Sequence, residues 1–363
     1  MRTLQIGPQI LRALLCTLSA ACSTATESTR DAGASQDATV ALDAGARDAA
    51  VALDAAGPDL GSTDARPATD LGEFDIPEGN NGIAAQFPRD ENIATDPRVI
   101  FADDFEGYSS GTELGQRWDA VYHNAEITTE SANVFAGAKA LEFLSPQQSA
   151  ELSNGVARSL SPERDILFFR FYSKFDSSFD VVGSSHNGGG ISGHYFVNGN
   201  ATPGVPADGT NKFLIEFESW RGAANEPNPG RLNIYIYHPE QRSQWGDHFF
   251  PNGEVLPNTS IPGEFGDDFV ARPNIVPELD RWYAYEVMLK ANTPGERDGR
   301  IACWLDGVLI ADFPNLRLRD VDTLKIDRFG LNLHIGSNPA GETRKWYDNV
   351  VVATEYIGPY FVP

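Results

Sequence analysis

The chain has 363 residues with 51 acidic against 28 basic side chains, a formal net charge of −23 and an isoelectric point near 4.5. That balance argues against nucleic acid as a partner, because a phosphate backbone is bound by surplus cations. The three cysteines, of which only Cys303 lies beyond residue 22, exclude a disulfide framework.

In chain order, Arg2 and Arg12 come before the apolar run ALLCTLSAA, residues 13–21. The run is too short to cross a bilayer and reads as a signal-peptide core. Small residues directly precede Cys22, as in a bacterial lipobox, where the cysteine is lipidated and heads the mature chain. Leu18 sits one place earlier than that pattern asks, so cleavage near Ala21 without a lipid is the alternative. Both readings export the protein. The first makes it an outer-membrane or cell-surface lipoprotein with the membrane as partner, the second a secreted one.

Residues 23–96 are dominated by Ala, Asp, Gly, Thr and Pro, with DATVALDAGAR followed by the near-copy DAAVALDAAG and nothing aromatic before Phe74. Such a segment cannot bury enough apolar surface to offset the cost of ordering it, so a disordered tether extended by its own negative charge is expected. From residue 97 onward tryptophans, tyrosines and period-2 alternation appear, punctuated by Gly, Pro and Asn. Strands are expected at VIFADDF, KALEFL, DILFFRFYSKF, KFLIEFES, RLNIYIYH, WYAYEVMLKAN, RIACWLDGVLIAD, KIDRFGLNLHIG and KWYDNVVVATEY. No amphipathic helix stands between them. The expected fold class for 97–363 is therefore all-β: a single antiparallel β-sandwich of the jelly-roll kind, monomeric, with a core that needs no disulfide. Alternation in IACWLDG puts Cys303 on the face of Ile301 and Leu305, as a buried structural thiol.

The same alternation names the wet faces. Arg170, Tyr172 and Lys174 share one side of their strand with Phe168, while Glu216 and Glu218 oppose Phe213, Ile215 and Phe217. Asn233, Tyr235 and Tyr237 oppose Leu232, Ile234 and Ile236. If these three strands lie side by side, their polar faces form one groove whose aromatic rings stack on sugars and whose polar groups bind hydroxyls or carboxylates. Ordinary solvent-side residues of a half-exposed sheet are the bland alternative.

The segments IYIYHPEQRSQWGDHF, RWYAYEVMLKANTPGERDGRIACWLDGVLIADF and WYDNVVVATEYIGP resemble polysaccharide lyases of family 14, with the glucuronan lyases of family 20 nearby. The likeness covers roughly residues 165–355. It implies a concanavalin A-like jelly roll, a polysaccharide partner and cleavage of an alginate- or glucuronan-like chain by β-elimination, with no cofactor required. It also implies that Tyr235 and Tyr237 lie at the active groove. The family's lysine-bearing glycine-rich loop corresponds here to GSSHNGGGISGHYF, which has no lysine; His186 or Asn187 falls near that position. Where the family has a serine and an arginine, this chain has Glu216 and Glu218.

On these grounds His186 or His194 is expected as the base, Tyr235 and Tyr237 as acid or proton relay, and Arg170 as the group facing the substrate carboxylate. Tyr172, Lys174, Glu216, Glu218, Asn233, Asn332 and His334 are the expected substrate contacts. Asp103, Asp104 and Asp348 are candidate oxygen ligands for a structural calcium, weighed against turn and capping roles for the same acids. Two rival functions remain: a glycoside hydrolase-like enzyme using Glu216 and Glu218 as acid and nucleophile, and a non-catalytic carbohydrate-binding domain.

Overall fold

The structure, a computed structural model, describes residues 76–360, so Cys22 and most of the expected tether lie outside the described residues. Two antiparallel sheets face each other. The back sheet has eight strands, ordered Val308–Leu316, Gly299–Leu305, Tyr283–Lys290, Ile166–Phe175, Thr343–Ala353, Ala140–Ser145 and Ala125–Thr128, with Val99–Asp103 also pairing Thr343–Ala353. The front sheet has nine, ordered Val255–Leu256, Asp247–Phe249, Arg231–Tyr237, Phe213–Trp220, Gly189–Gly193, Ile326–Ile335, Leu152–Arg164 and Ala120–Tyr122, with Ser185–His186 also on Ile326–Ile335. Residues that alternate inward fill the space between: Phe169, Phe171 and Tyr285 from the back sheet meet Ile215, Phe217, Ile234, Phe329 and Leu331 from the front. Phe171 stacks on Tyr285 at 5.3 Å, and Phe169 meets Phe329 edge-on at 5.5 Å. Cys303 is buried among them.

All nine expected segments form strands, though RIACWLDGVLIAD folds as two, Gly299–Leu305 and Val308–Leu316, paired about the turn at Asp306 and Gly307, and the all-β sandwich is what forms. Of the six front-sheet strands that were not expected, two lie on either side of Ile326–Ile335 and had no clear signal. Leu152–Arg164 reads LSNGVARSLSPER, poor in β-branched and aromatic residues, and Gly189–Gly193 is mostly glycine. Both are held by pairing with Ile326–Ile335, a long-range partner that no local pattern announces.

The folded part also begins earlier than residue 97. Trp304 Nε1 donates to Pro77 O at 2.7 Å, and the N–H groups of Ile83 and Ala84 donate to the carbonyls of Tyr356 and Ile357 at 3.0 and 2.8 Å. Ile83, Ala84 and Ile93 pack with Phe168, Met288, Trp304 and Tyr356 on the outer face of the back sheet. A few apolar side chains spaced along a polar segment carry no periodicity, which is why residues 76–96 look like tether.

That cover corrects the expectation for Arg170, Tyr172 and Lys174. Their strand, Ile166–Phe175, belongs to the back sheet, and the face they share is roofed by the segments around Asp90 and Gly358. Arg170 is fully buried; it pairs with Asp90 and donates to the carbonyls of Asn349 and Gly358 at 3.1 and 3.2 Å. Tyr172 stacks on Phe135 at 3.7 Å and its hydroxyl accepts the Tyr360 N–H at 2.7 Å. Lys174 donates to Ala132 O at 2.6 Å and Asp280 at 2.9 Å. Alternation identifies which residues share a face of one strand; it does not say which sheet the strand joins.

The acids named as candidate calcium ligands are engaged within the fold. Asp103 accepts from Tyr108 OH at 2.6 Å, Trp118 Nε1 at 2.9 Å and Phe105 N–H at 3.1 Å, while Asp104 accepts the Glu106 N–H at 3.2 Å. Asp348 accepts the N–H groups of Phe135 and Ala136 at 3.0 and 3.1 Å. Among the described residues no group of three or more His, Cys, Asp or Glu side chains converges as a metal site. These acids brace turns instead.

Candidate functional site

The outer face of the front sheet carries the chemistry. Strands Phe213–Trp220 and Arg231–Tyr237 pair so that Glu216 stands opposite Tyr235 and Glu218 opposite Asn233. On the other side Gly190 faces Glu216, and Gly330 faces Gly190. A Cβ on Gly190 would lie 2.4 Å from Glu216 Oε1, so the glycine is what lets that carboxyl lean across its neighbour. Ser185–His186 pairs with Ile326–Ile335 and sets His186 against His334.

His186 is the hub. Its Nδ1 lies 3.0 Å from Glu218 Oε2, its ring centre 4.5 Å from that of Tyr235 and 5.5 Å from that of His334. Its Nε2 makes no hydrogen bond among the described residues, and the side chain is 29% exposed. Asn332 Nδ2 donates to Glu216 Oε2 at 2.9 Å. His334 Nδ1 lies 2.6 Å from Ser153 Oγ, and His248 Nδ1 lies 2.8 Å from Asn233 Oδ1. His248 also stacks on Trp220 at 4.3 Å and sits 5.0 Å from Tyr235.

Two loops hang from the tyrosine hydroxyls. Gly246 N–H donates to Tyr235 OH at 3.0 Å, and Gly204 N–H donates to Tyr237 OH at 3.2 Å. Beside Gly246 the indole of Trp245, half exposed, leans on Gly204. Lys212 is buried under Tyr195 and Tyr237, 4.6 and 4.5 Å from their ring centres, with its ammonium on Thr202.

Burial and neighbours divide the titratable groups sharply. Glu216 is pushed up to about 8, first by burial and then by Glu218 beside it, against smaller pulls from His186 and Asn332. At neutral pH it is a neutral acid that can donate a hydrogen bond. His186 loses by burial but gains more from the Glu218 carboxylate, so its pKa rises. His248 and His334 have no such partner; burial lowers them to about 3 and about 4, and both stay neutral. Burial lifts the Tyr235 hydroxyl far above its ordinary range, so it keeps its proton. Lys212 is lowered to about 8 by burial alone.

His186, Tyr235, Tyr237, Glu216, Glu218, Asn233, Asn332 and His334 are thus brought to one surface. His194 is not: Gly189–Gly193 carries it to the far end of its strand, where its Nε2 meets Glu163 at 3.1 Å. Neither glutamate is bridged by an arginine, since Arg231 pairs with Glu254 at 2.5 Å. The lysine that does bond the glycine-rich loop lies on its core side. Lys345 reaches Asn187 O from the core side, 1% exposed and 3.6 Å from the Phe175 ring centre, and burial drives its pKa well down. Lys212, Trp220 and His248 were missed. His248 had a signal in hindsight: HFF follows the tyrosine strand closely enough to be its hairpin partner, and it pairs Tyr235 directly.

No family model matches the chain, and no curated protein matches it. Solved structures do. The marine PL-14 alginate lyase from Aplysia kurodai aligns with a TM-score of 0.50 at 14% identity, over 70% of this chain and 99% of that one. The alginate lyase vAL-1 from Chlorella virus aligns with a TM-score of 0.50 at 16% identity, over 70% and 99%. At these identities the likeness is one of fold, and it meets the resemblance to family 14 seen in the sequence: the chain has a polysaccharide lyase-like jelly roll.

Proposed function

We propose that the protein is a polysaccharide lyase that cleaves a uronate-containing glycan by β-elimination, with His186 as base and Tyr235 as acid. One observation carries the reading: an imidazole whose Nδ1 is held by a carboxylate and whose Nε2 is free lies against a tyrosine that keeps its proton. Glu218 fixes the tautomer with hydrogen on Nδ1, which leaves the Nε2 lone pair toward the groove. In the elimination, the proton on the carbon beside the uronate carboxylate passes to Nε2. Its electron pair forms the carbon–carbon double bond, the bond to the glycosidic oxygen breaks, and Tyr235 OH gives its proton to that oxygen. The charge that builds on the carboxylate is met by donors already in place, Asn332 and the neutral acid of Glu216.

Two ionised glutamates on the groove would repel a polyuronate, and this reading lessens that repulsion. With Glu216 neutral and His186 in its neutral, base-competent form, the cluster carries a single negative charge, on Glu218, and that charge is held by the His186 Nδ1–H away from the free Nε2. The hydrolase reading draws support from the raised Glu216, which suits a general acid, but Glu218 is already engaged by His186. Export, with Cys22 as lipid anchor or cleavage near Ala21, belongs to the proposal on the strength of residues 1–22 alone.

The test is incubation of the protein with a panel of polyuronates and neutral glycans, following unsaturated and reducing ends separately. Unsaturated ends that disappear in His186→Ala and Tyr235→Phe, each by on the order of 10²–10⁴-fold, support the reading. Reducing ends without unsaturation move the chemistry to the glutamates. Binding without new ends makes this a carbohydrate-recognition domain.

A further inference from the structure

The outer face of the front sheet continues past Asn332 to a second site that the proposed chemistry does not use. Along Ile326–Ile335 the outward positions are Arg328, Gly330, Asn332 and His334. His334 sits beside His186, whereas Arg328 lies six residues back, about 20 Å along the strand at 3.3 Å per residue. Around Arg328 opens a cavity of about 550 Å³ lined by Asp119, Tyr122, Ser159, Glu163, Phe196 and Asp327 among others.

The guanidinium there is poised and incompletely satisfied. Arg328 is 9% exposed, its Nη2 donates to Tyr122 OH at 2.9 Å, and its charge rests over the Phe196 ring, 4.1 Å from the centre. Its Nε is buried without a hydrogen-bond partner, and no carboxylate lies within 4.0 Å of it among the described residues. Two of the three acids that share the cavity are turned to other work. Glu163 meets the His194 ring at 3.1 Å and Asp119 accepts the Ser159 N–H at 2.7 Å, while burial raises the Asp327 carboxyl against the pulls of His194 and of Arg328 itself. Asp327 is close enough for its charge to be felt but forms no ion pair with Arg328 within 4.0 Å, so a cation nine-tenths buried keeps an unused donor, and a bidentate anion is the ligand its fork-shaped array fits best.

We propose that Arg328 receives the carboxylate of a uronate residue at a subsite remote from the scissile bond, with Tyr122 and Phe196 as walls for the sugar ring. This rests on the polysaccharide reading and narrows it. Roughly 20 Å separates Arg328 from His186, so one sugar cannot reach both, and the substrate is a chain several residues long that lies along the sheet. Tyr122 joins the two regions, because its ring approaches the same edge of Gly155 as the Asn332 side chain.

The experiment is calorimetric titration of the full His186→Ala chain, which holds substrate without cutting it, with oligouronates of increasing length and with the same oligomers reduced to alcohols at their carboxyls. Affinity is expected to rise once the oligomer is long enough to reach Arg328. Arg328→Gln should lower that long-chain affinity tenfold or more, leave the shortest oligomers and the reduced ones unchanged, and be partly rescued in Arg328→Lys. An equal loss for reduced oligomers, no loss at all, or no uronate binding by the parent chain would overturn the subsite. Melting temperatures within a few degrees of the parent exclude misfolding as the cause, and Tyr122→Phe, which removes one hydrogen bond and keeps the wall, provides an independent weaker loss. Binding that depends on Arg328 in a protein yielding no unsaturated ends would retain the subsite and reject the elimination.

Discussion

Replacing Glu216 by glutamine isolates the one carboxyl that the account requires to be neutral. Glutamine keeps the shape and the bond from Asn332 Nδ2, 2.9 Å long in the parent, and removes only the ability to ionise. In the folded protein Glu216 titrates at about 8, against 4.5 for the free side chain. Because the folded pKa is raised, the folded state holds an extra proton throughout the window from about 4.5 to about 8. The associated stability is fully present below that window and is lost as pH rises through it. At 1.36 kcal/mol per pH unit the whole displacement amounts to about 5 kcal/mol. Glu216→Gln does not pay this, so its melting temperature should be close to the parent's at pH 5 and exceed it by on the order of 10 °C at pH 9, at about 2–4 °C per kcal/mol. Paired thermal melts from pH 5 to 9.5 read the difference. Other buried acids with raised pKa values, Glu286 at about 7 and Asp348 at about 8, are common to both proteins and cancel. A difference that does not change with pH would refute a neutral Glu216, and with it the argument that the groove tolerates a polyuronate.

The remaining predictions concern the dyad, the alkaline limb, the back sheet and the N-terminus. Glu218→Gln removes the carboxylate that raises His186, so the acid limb of the kcat/KM profile should move to lower pH while kcat falls on the order of 10²-fold. The alkaline limb in the parent should follow Glu216 near pH 8, where its new charge repels the substrate, and should be absent in Glu216→Gln. Asp90→Ala leaves the fully buried Arg170 unpaired and should cost roughly 3–5 kcal/mol in denaturant unfolding without changing kcat on the folded protein. Cys22→Ser should abolish incorporation of a radiolabelled fatty acid in a bacterial host; incorporation that persists would overturn the lipidation of that cysteine.

The parts of the site that could be read from the sequence are those whose logic is local. Glu216, Glu218, Asn233, Tyr235 and Tyr237 alternate cleanly against large apolar residues, and their two strands are sequence neighbours that pair directly. The same alternation misled at Arg170 because Ile166–Phe175 pairs with Tyr283–Lys290 and Thr343–Ala353, more than a hundred residues away. Its polar face is buried by terminal segments whose docking depends on scattered contacts such as Trp304 to Pro77. Arg328 is within reach of the sequence: in KIDRFGLNLHIG it shares the period-2 face of Asn332 and His334. What the pattern could not convey is that its guanidinium has a cavity in front of it, since Tyr122 and Phe196 come from distant parts of the chain. His248 could be placed only by treating HFF as the hairpin partner of the tyrosine strand, a pairing that sets it opposite Tyr235.

The central claim is the bond broken and the way it breaks, and the most direct measurement is the mass of the products formed from a polyuronate in oxygen-18-labelled water. Elimination adds no water, so the account predicts products with an unsaturated terminal sugar and no label, formed by the parent and not by His186→Ala. Products that carry the label at the new end would mean hydrolysis, and would contradict His186 and Tyr235 as the base and acid of an elimination.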